Sequence, residues 1–159
     1  MGPSSKGNAM RILTALLTCF CLAALAGCSH ETAPPAGRWE GTYDAGDTLV
    51  AARMEITAKG QIFVSAPNAE NIASTPDDAR TAIRQRLASG LAAGWGDVTP
   101  IQLDFDGQTF RKPGGIAPQA EWDSSTHRMT LIVYLGKGDG FRIPMHAVKD
   151  FSASPFPGG

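Results

Sequence analysis

Apolar and polar residues alternate with a period of two along much of the chain after residue 38. That period predicts β-strands that bury one face and expose the other. The first such segment places Trp39 and Tyr43 on one face and Glu40 and Thr42 on the other. Further strand segments at 49–64, 98–112, 120–135 and 141–147 contain turn residues, among them Lys59-Gly60, Asp106-Gly107 and 124–127. Because these turns are short, we expect antiparallel hairpins.

One segment departs from this period and predicts an α-helix near 76–90. Thr75 is a suitable N-cap, and Pro76 suits the first helical position. Four apolar residues then fall on one helical face at i, i+4 spacing, namely Ala79, Ile83, Leu87 and Leu91. We expect the helix to end by Gly90 or Gly94.

Two strands carry information about their place in the sheet. The segment 128–135 is apolar on both faces near its end, which predicts a central strand. Pro144 cannot donate a ladder hydrogen bond, so the last strand is expected at an edge or at a bulge. The whole pattern predicts a mainly β fold, an antiparallel meander of about eight strands that forms a small barrel or curved sheet. An α+β fold with the helix packed on one sheet face is the alternative.

The first 27 residues have a different pattern. Lys6 and Arg11 precede an apolar run at 12–26 that is shorter than the ~20 residues of a membrane span. Either Met1 or Met10 could start such a signal. The run ends in Leu25-Ala26-Gly27-Cys28, which resembles the lipobox of bacterial lipoproteins. That resemblance implies cleavage before Cys28 and a membrane anchor of lipid, such as palmitate, on this cysteine.

The residues around the cleavage point imply an address and an order of segments. In bacterial lipoproteins, an Asp directly after the lipidated cysteine retains the protein in the inner membrane. Ser29 occupies that position here, so the resemblance implies the periplasmic face of the outer membrane, with the inner membrane and the cell surface as alternatives. We expect a signal peptide at 1–27, a flexible tether at 28–37 that contains Pro34-Pro35, and a single β-rich domain at 38–150. The Pro/Gly/Ser-rich segment 151–159 is predicted to be a disordered tail.

Composition narrows the classes of function. Without residues 1–27 the chain has 12 basic and 15 acidic residues, a net charge of −3. A chain without a basic cluster is a poor nucleic-acid binder, so no nucleic-acid partner is expected. Cys19 and Cys21 lie in the discarded run and Cys28 would carry lipid. The mature chain would then have no disulfide, no thiol catalysis and no cysteine-bound zinc.

The search for catalytic and metal-binding residues gives no set. Phosphate-loop, dinucleotide and calcium-loop motifs are absent from the sequence, and His127 and His146 have no third metal ligand at a suitable spacing. The acid pairs Asp104 with Asp106 and Glu121 with Asp123 are better interpreted as surface acids beside turns than as a hydrolase pair. We predict no catalytic residue, no metal and no cofactor.

One loop has the composition of an anion site. Arg111-Lys112-Pro113-Gly114-Gly115 places two cations beside glycine backbone, which could hold a phosphate or carboxylate. The loop lacks the phosphate-loop lysine pattern and a following helix, so an ordinary turn is the simpler interpretation.

The strongest expectation about function is a binding role without catalysis. We expect a lipid-anchored envelope module that binds an envelope protein or a cell-wall component. Gly37-Arg38-Trp39 resembles the opening strand of lipocalin-like barrels, which implies a carrier of a small apolar ligand as the alternative. An unrecognised enzyme or enzyme inhibitor is the third possibility. The candidate ligand-binding residues are the aromatic side chains Trp39, Tyr43, Trp95 and Trp122.

Overall fold

The computed structural model describes residues 35–66, 68–134 and 140–157. The proposed signal peptide, the lipobox-like residues with Cys28, and most of the tether lie outside this part. The elements in chain order are β1 Gly37–Ala45, β2 Thr48–Ile56, β3 Ile62–Ser65, β4 Ala69–Asn71, α1 Asp77–Gly94, a 3-10 turn at Trp95–Asp97, β5 Asp104–Phe105, β6 Thr109–Arg111, β7 Pro118–Asp123, β8 Arg128–Val133 and β9 Phe141–Val148.

The strands form one antiparallel sheet in the order β3-β2-β1-β9-β8-β7-β6-β5, and β4 pairs separately with β2. This sheet is curled into a half-barrel. The predicted mainly β meander of about eight strands with one inserted helix is therefore confirmed. The hairpin turn at Lys59-Gly60 is also present, with Gly60 at a φ of 76° that favours glycine.

At one place in the described residues, the edge strand β3 meets the segment that precedes β5, the strand at the other edge. The backbone N–H of Ile101 donates to the carbonyl oxygen of Ile62 at 2.7 Å, which forms an isolated bridge. β5 itself is only two residues long. The half-barrel is therefore incompletely closed, and its concave side stays accessible along this seam.

The position of β9 corrects the expectation that its proline places it at an edge or at a bulge, since its ladders with β1 and β8 show no register shift. β9 lies in the interior of the sheet, between β1 and β8. Its ladder with β1 covers only 145–148 and stops at the Gly41–Met145 pair, directly before Pro144. A Cβ at Gly41 would collide with the Pro144 carbonyl oxygen. The proline is tolerated because pairing with β1 ends beside it.

The helix α1 begins one residue later than the pattern predicts and ends at Gly94, the later of the two expected ends. Pro76 takes the N-cap position in place of Thr75, without a side-chain cap, and Asp77 and Asp78 provide negative charge in the first turn. Leu87 and Leu91 are buried on the face that packs against β2. Ala79, expected on that face, is exposed.

Two hydrophobic clusters lie on opposite faces of the sheet. The inner cluster, on the concave side, consists of Trp39, Val50, Ala52, Met54, Ile56, Ile62, Phe110, Ala120, Met129, Leu131, Ile143 and Met145. The outer cluster, beneath α1, consists of Leu49, Ala51, Ile72, Leu87, Leu91 and Phe156. β2 contributes to both clusters because its side chains alternate between the two faces.

The C-terminal residues correct the expectation of a disordered tail. Phe156 is 3% exposed and belongs to the outer cluster. The ring of Phe151 packs on that of Trp95 with their centroids 4.5 Å apart. These two phenylalanines anchor a segment whose proline, glycine and serine content suggested disorder. We call residues 151–157 the C-terminal segment.

The described strands, the helix and both clusters lie within Ala33–Gly159, which forms a compact unit of its own. The hydrogen bonds and the packing described here are therefore contained in this unit. We expect the fragment 33–159 to fold without the residues before it.

Candidate functional site

The concave side of the half-barrel contains an open cleft of about 560 Å³. This volume falls within the range of roughly 300–1,000 Å³ that is usual for small-molecule sites. Its walls are predominantly apolar and include Met54, Ile62, Val64, Leu103, Phe110, Ala120, Leu131 and Val133. The cleft is therefore the first candidate for a binding site.

The register of three strands builds one wall of the cleft. Phe110 in β6 pairs with Ala120 in β7, and Ala120 pairs with Leu131 in β8. Directly paired residues share one face of a sheet, so these three side chains form an apolar row. Ala120 is small and lies between two larger side chains. Phe105 in β5 stacks on Phe110 with their ring centroids 4.3 Å apart, although Phe105 itself does not line the cleft.

The rim of the cleft carries exposed hydrophobic side chains. Among the described residues, the exposed large hydrophobic side chains are Ile116 at 93%, Ile101 at 42% and Tyr134 at 38%. All three line this cleft. Single exposed apolar residues are ordinary, whereas a contiguous apolar patch at a concavity is typical of a binding surface. The rim therefore distinguishes this cleft from the rest of the described surface.

The polar groups of the rim are few. Lys112, Gln119 and Tyr134 supply the polar side chains that line the cleft. The Tyr134 hydroxyl donates to the carbonyl oxygen of Pro118 at 2.9 Å, which fixes the ring at the mouth. An apolar cavity with a small number of polar groups is the usual composition of a ligand site.

In the loop proposed as an anion site, the two cations have different surroundings. Arg111 points to Asp106, with Nη1 2.5 Å from Oδ2, and its Nε donates to the Ile116 carbonyl oxygen at 3.2 Å. The Gly115 N–H donates within the loop to the Lys112 carbonyl oxygen at 2.8 Å. Lys112 lines the cleft and makes no ion pair with any described residue. The loop therefore presents one cation to the cleft.

The four aromatic residues predicted as ligand contacts lie elsewhere. Trp39 and Trp122 are brought together, with their ring centroids 5.6 Å apart in an edge-to-face arrangement. Tyr43 packs on Phe141, and Trp95 packs on Phe151. None of the four lines the cleft. Their role in ligand binding stays a prediction.

Of the residues that line the cleft, the sequence analysis singled out only Lys112 and Gly115, in the candidate anion loop, although Ile116 also carried a signal. Ile116 lies in a loop of proline, glycine and charged residues between two hairpins. A large apolar residue that belongs to no strand pattern has no core position to explain it. That isolation could have indicated an exposed contact residue, whereas the wall residues follow ordinary strand alternation.

The carboxylates near the turns have structural roles. The backbone N–H groups of Thr109 and Gln108 donate to Asp106 and hold its pKa well below its usual range. The hydroxyls of Ser125 and Thr126 donate to Asp123 and lower its pKa to about 2. Both carboxylates are ionised at neutral pH and cap turns, and neither is arranged as a proton donor.

The histidines and acids do not assemble into a metal site in the part of the chain that the structure describes. His127 sits in the turn before β8 with a φ of 54°, and its ring lies edge-on to Trp122 at 5.9 Å. His146 Nε2 lies 3.7 Å from Oε1 of Glu40. The Glu121 carboxylate of the second acid pair binds Arg142.

A buried ion pair lies on the outer face of the sheet, opposite the cleft. Glu40 and Arg53 are 2% and 3% exposed. Arg53 Nη2 donates to the Ser152 carbonyl oxygen at 2.5 Å, and the Ser152 N–H donates to Glu40 Oε2 at 3.1 Å. The ring of Phe151 covers the Arg53 guanidinium at 5.0 Å. The C-terminal segment therefore seals this pair from water, and no accessible site remains there.

Comparison of the chain with protein-family models, with curated proteins and with solved structures finds no match. Within residues 35–66, 68–134 and 140–157, no helix has the length and apolar character that crossing a membrane requires.

Proposed function

We propose that this chain is a lipid-anchored binding module of the bacterial cell envelope whose concave cleft holds the apolar part of a small ligand. The observation that carries the proposal is the coincidence of the cleft with the exposed large hydrophobic residues of the described chain, Ile101, Ile116 and Tyr134. This function corresponds to the carrier alternative of the sequence analysis. The cleft supports it by its apolar walls and its volume.

The energetic argument rests on the cost of exposed apolar surface. Removing apolar area from water contributes roughly 25 cal/mol for each Å². Ile116 is 93% exposed at the rim, so almost its whole side chain is available to be covered by a ligand. A bound apolar group would bury the rim and the walls together. Binding of an apolar group is therefore favourable because it covers rim and wall side chains that folding alone leaves in contact with water.

The cleft is tested by titrating the fragment 33–159 with N-phenyl-1-naphthylamine, a neutral apolar dye whose fluorescence rises in apolar surroundings. We expect saturable binding, and we expect the double variant Ile101→Ser, Ile116→Ser to bind at least about tenfold more weakly, which corresponds to ~1.4 kcal/mol. Both side chains are exposed, so the variant should remain folded.

The matched control for this experiment is Ile83→Ser, the same chemical change at a residue that packs on the outer cluster. This control should lower stability and leave the affinity for the dye unchanged. Equal affinity of the rim variant and the parent fragment, or no saturable binding by the parent, would refute the proposed use of the cleft.

The anchor is proposed from Leu25-Ala26-Gly27-Cys28, and it is tested separately on the full chain in a bacterial host. Cells expressing the parent or Cys28→Ser are labelled with an alkyne analogue of palmitate. We expect label on the parent and none on the variant, together with accumulation of the uncut precursor. A variant that is still processed and membrane-bound would show that the interpretation as a lipobox is wrong.

A further inference from the structure

Lys112 supplies the charge of an otherwise uncharged cleft. Among the described residues that line the cleft it is the only charged one, and the others are apolar apart from Gln119, Tyr134 and glycine. Its neighbour Arg111 is held by Asp106 and by the Ile116 carbonyl, and the Tyr134 hydroxyl is held by the Pro118 carbonyl. Lys112 is therefore the group at this rim that is available to pair with a charge on a ligand.

The described basic side chains divide into paired arginines and four that make no ion pair with a described residue, and of these four, Lys59, Lys112, Arg128 and Lys149, Lys112 is the one that lines the cleft. Seven arginines form ion pairs with carboxylates, namely Arg38, Arg53, Arg80, Arg84, Arg86, Arg111 and Arg142. Lys112 makes no such pair among the described residues, and it lies beside the apolar cleft. A cation at the mouth of an apolar cavity matches a ligand with an apolar body and a negatively charged end.

We infer that the cleft binds anionic amphiphiles, with a single acyl chain against the apolar walls and a carboxylate or phosphate group at Lys112. This inference rests on the proposed function and specifies its class of ligand. The acyl chain of the ligand provides most of the affinity, because each buried methylene changes the binding constant by about fourfold. The ion pair, at a solvent-exposed rim, changes it by no more than about fivefold. Lys112 therefore selects among amphiphiles of equal chain length.

The test compares ligands that share one chain and differ in the head group. Decanoate, decanol and decyltrimethylammonium are titrated as competitors of N-phenyl-1-naphthylamine on the fragment 33–159, below their micelle concentrations. We expect Lys112→Met to weaken decanoate by about three- to fivefold and to change decanol by less than about twofold. The affinity of the parent for decanoate should also fall as salt increases, whereas that of Lys112→Met should not.

Charge reversal makes the test sharper. Lys112→Glu should exchange the preference, so that decyltrimethylammonium binds more tightly than decanoate. Lys59→Met is the matched control, because Lys59 is an exposed lysine of the β2–β3 turn and does not line the cleft. This control should leave all three affinities unchanged. Decyl phosphate, as a fourth competitor, shows whether a phosphate head binds better than a carboxylate.

The outcomes separate this inference from the proposed function. If decanoate and decanol compete equally in the parent and Lys112→Met affects neither, the cleft binds apolar chains and the anionic head group is refuted. If no competitor displaces the dye, or the dye itself does not bind, both proposals fail. If Lys59→Met changes the affinity for decanoate as much as Lys112→Met does, the effect comes from the net charge of the protein. That outcome would also refute the role of Lys112.

Discussion

The two faces of β2 are both buried, but different parts of the molecule cover them. Leu49, Ala51 and Arg53 point outwards beneath α1 and the C-terminal segment. Val50, Ala52 and Met54 point inwards, where only the curl of the sheet covers them. Two parts of the chain, α1 and the C-terminal segment, cover the outer face, whereas the inner face contains an open cleft. One strand thus separates a sealed surface from an accessible one.

The contrast is instructive because the sealed face is the one that contains charge. Removing Glu40 and Arg53 from water is costly, and hydrogen bonds offset part of that cost, although Arg53 Nε has no hydrogen-bond partner among the described residues. Ser152 supplies two such bonds through its backbone. The inner face is apolar apart from the Trp39 indole N–H, which has no hydrogen-bond partner among the described residues, and its cleft remains open although water contact with apolar walls is unfavourable. Both faces therefore contain buried core, and the difference between them is that the inner face also contains the open cleft to which we assign the proposed ligand.

Arg53→Met is the substitution that should have the largest effect on the sealed outer face. Without Arg53, the buried Glu40 carboxylate would lose its arginine and keep only the Ser152 N–H and the His146 imidazole beside it, and the Ser152 carbonyl would lose its donor. We expect the free energy of unfolding of the fragment 33–159 to fall by about 3–5 kcal/mol, measured by urea denaturation. Dye binding by the remaining folded protein should be unchanged, because Arg53 lies on the face opposite the cleft.

The double variant Glu40→Met, Arg53→Met is the matched control. Replacing a whole buried ion pair by apolar residues is often neutral or stabilising, so most of the lost stability should return. Recovery would show that the loss in Arg53→Met comes from the uncompensated charge. A double variant as unstable as the single one would assign the loss to packing or to the contact with Phe151.

Phe156→Ala tests the second cover of the outer face. Phe156 is 3% exposed within the outer cluster, and truncation of a buried phenylalanine costs about 3 kcal/mol or more. We expect a corresponding loss in urea denaturation, with dye binding unaffected. Pro157→Ala, at an exposed neighbouring position, should stay within about 0.5 kcal/mol of the parent. If the two variants are equally stable, the C-terminal segment does not seal the outer face in solution.

Much of the sheet could be predicted because its strands follow local rules. The alternation of β1 and β2, the Lys59-Gly60 turn and the apolar character of β8 each need only neighbouring residues. Their places in the structure agree, and β8 is central as expected. The helix was also readable, since Leu87 and Leu91 lie one turn apart on its buried face.

The errors concern interactions between residues far apart in the chain. Pro144 lies within the sheet because the ladder to β1 ends at Gly41, about a hundred residues earlier. The C-terminal segment is ordered because Phe151 meets Arg53 and Trp95, and Phe156 meets the outer cluster. Composition favours disorder for such a segment, whereas long-range burial decides the outcome. The cleft depends in the same way on where β3 and β5 fail to pair.

The smallest expected effect is at the turn that contains Asp123, which is part of neither α1 nor the C-terminal segment. Hydrogen bonds from Ser125 and Thr126 lower the folded pKa of Asp123 to about 2, whereas an unfolded aspartate has a pKa of about 3.9. The stabilisation from these bonds is therefore fully present above the unfolded pKa and is lost as the pH falls towards 2. We expect Asp123→Asn to flatten the dependence of the melting temperature on pH between about 2 and 5.

The direct measurement for this turn is the carbon-13 chemical shift of the Asp123 carboxyl group during acid titration. Ser124→Ala is the control, because Ser124 is exposed and has no role among the hydrogen bonds to Asp123. It should leave the titration of Asp123 unchanged. Dye binding at neutral pH should also be the same in Asp123→Asn as in the parent, because the turn contributes to neither the outer cluster nor the walls of the cleft. A carboxyl that titrates near pH 4 would show that these hydrogen bonds do not persist in solution.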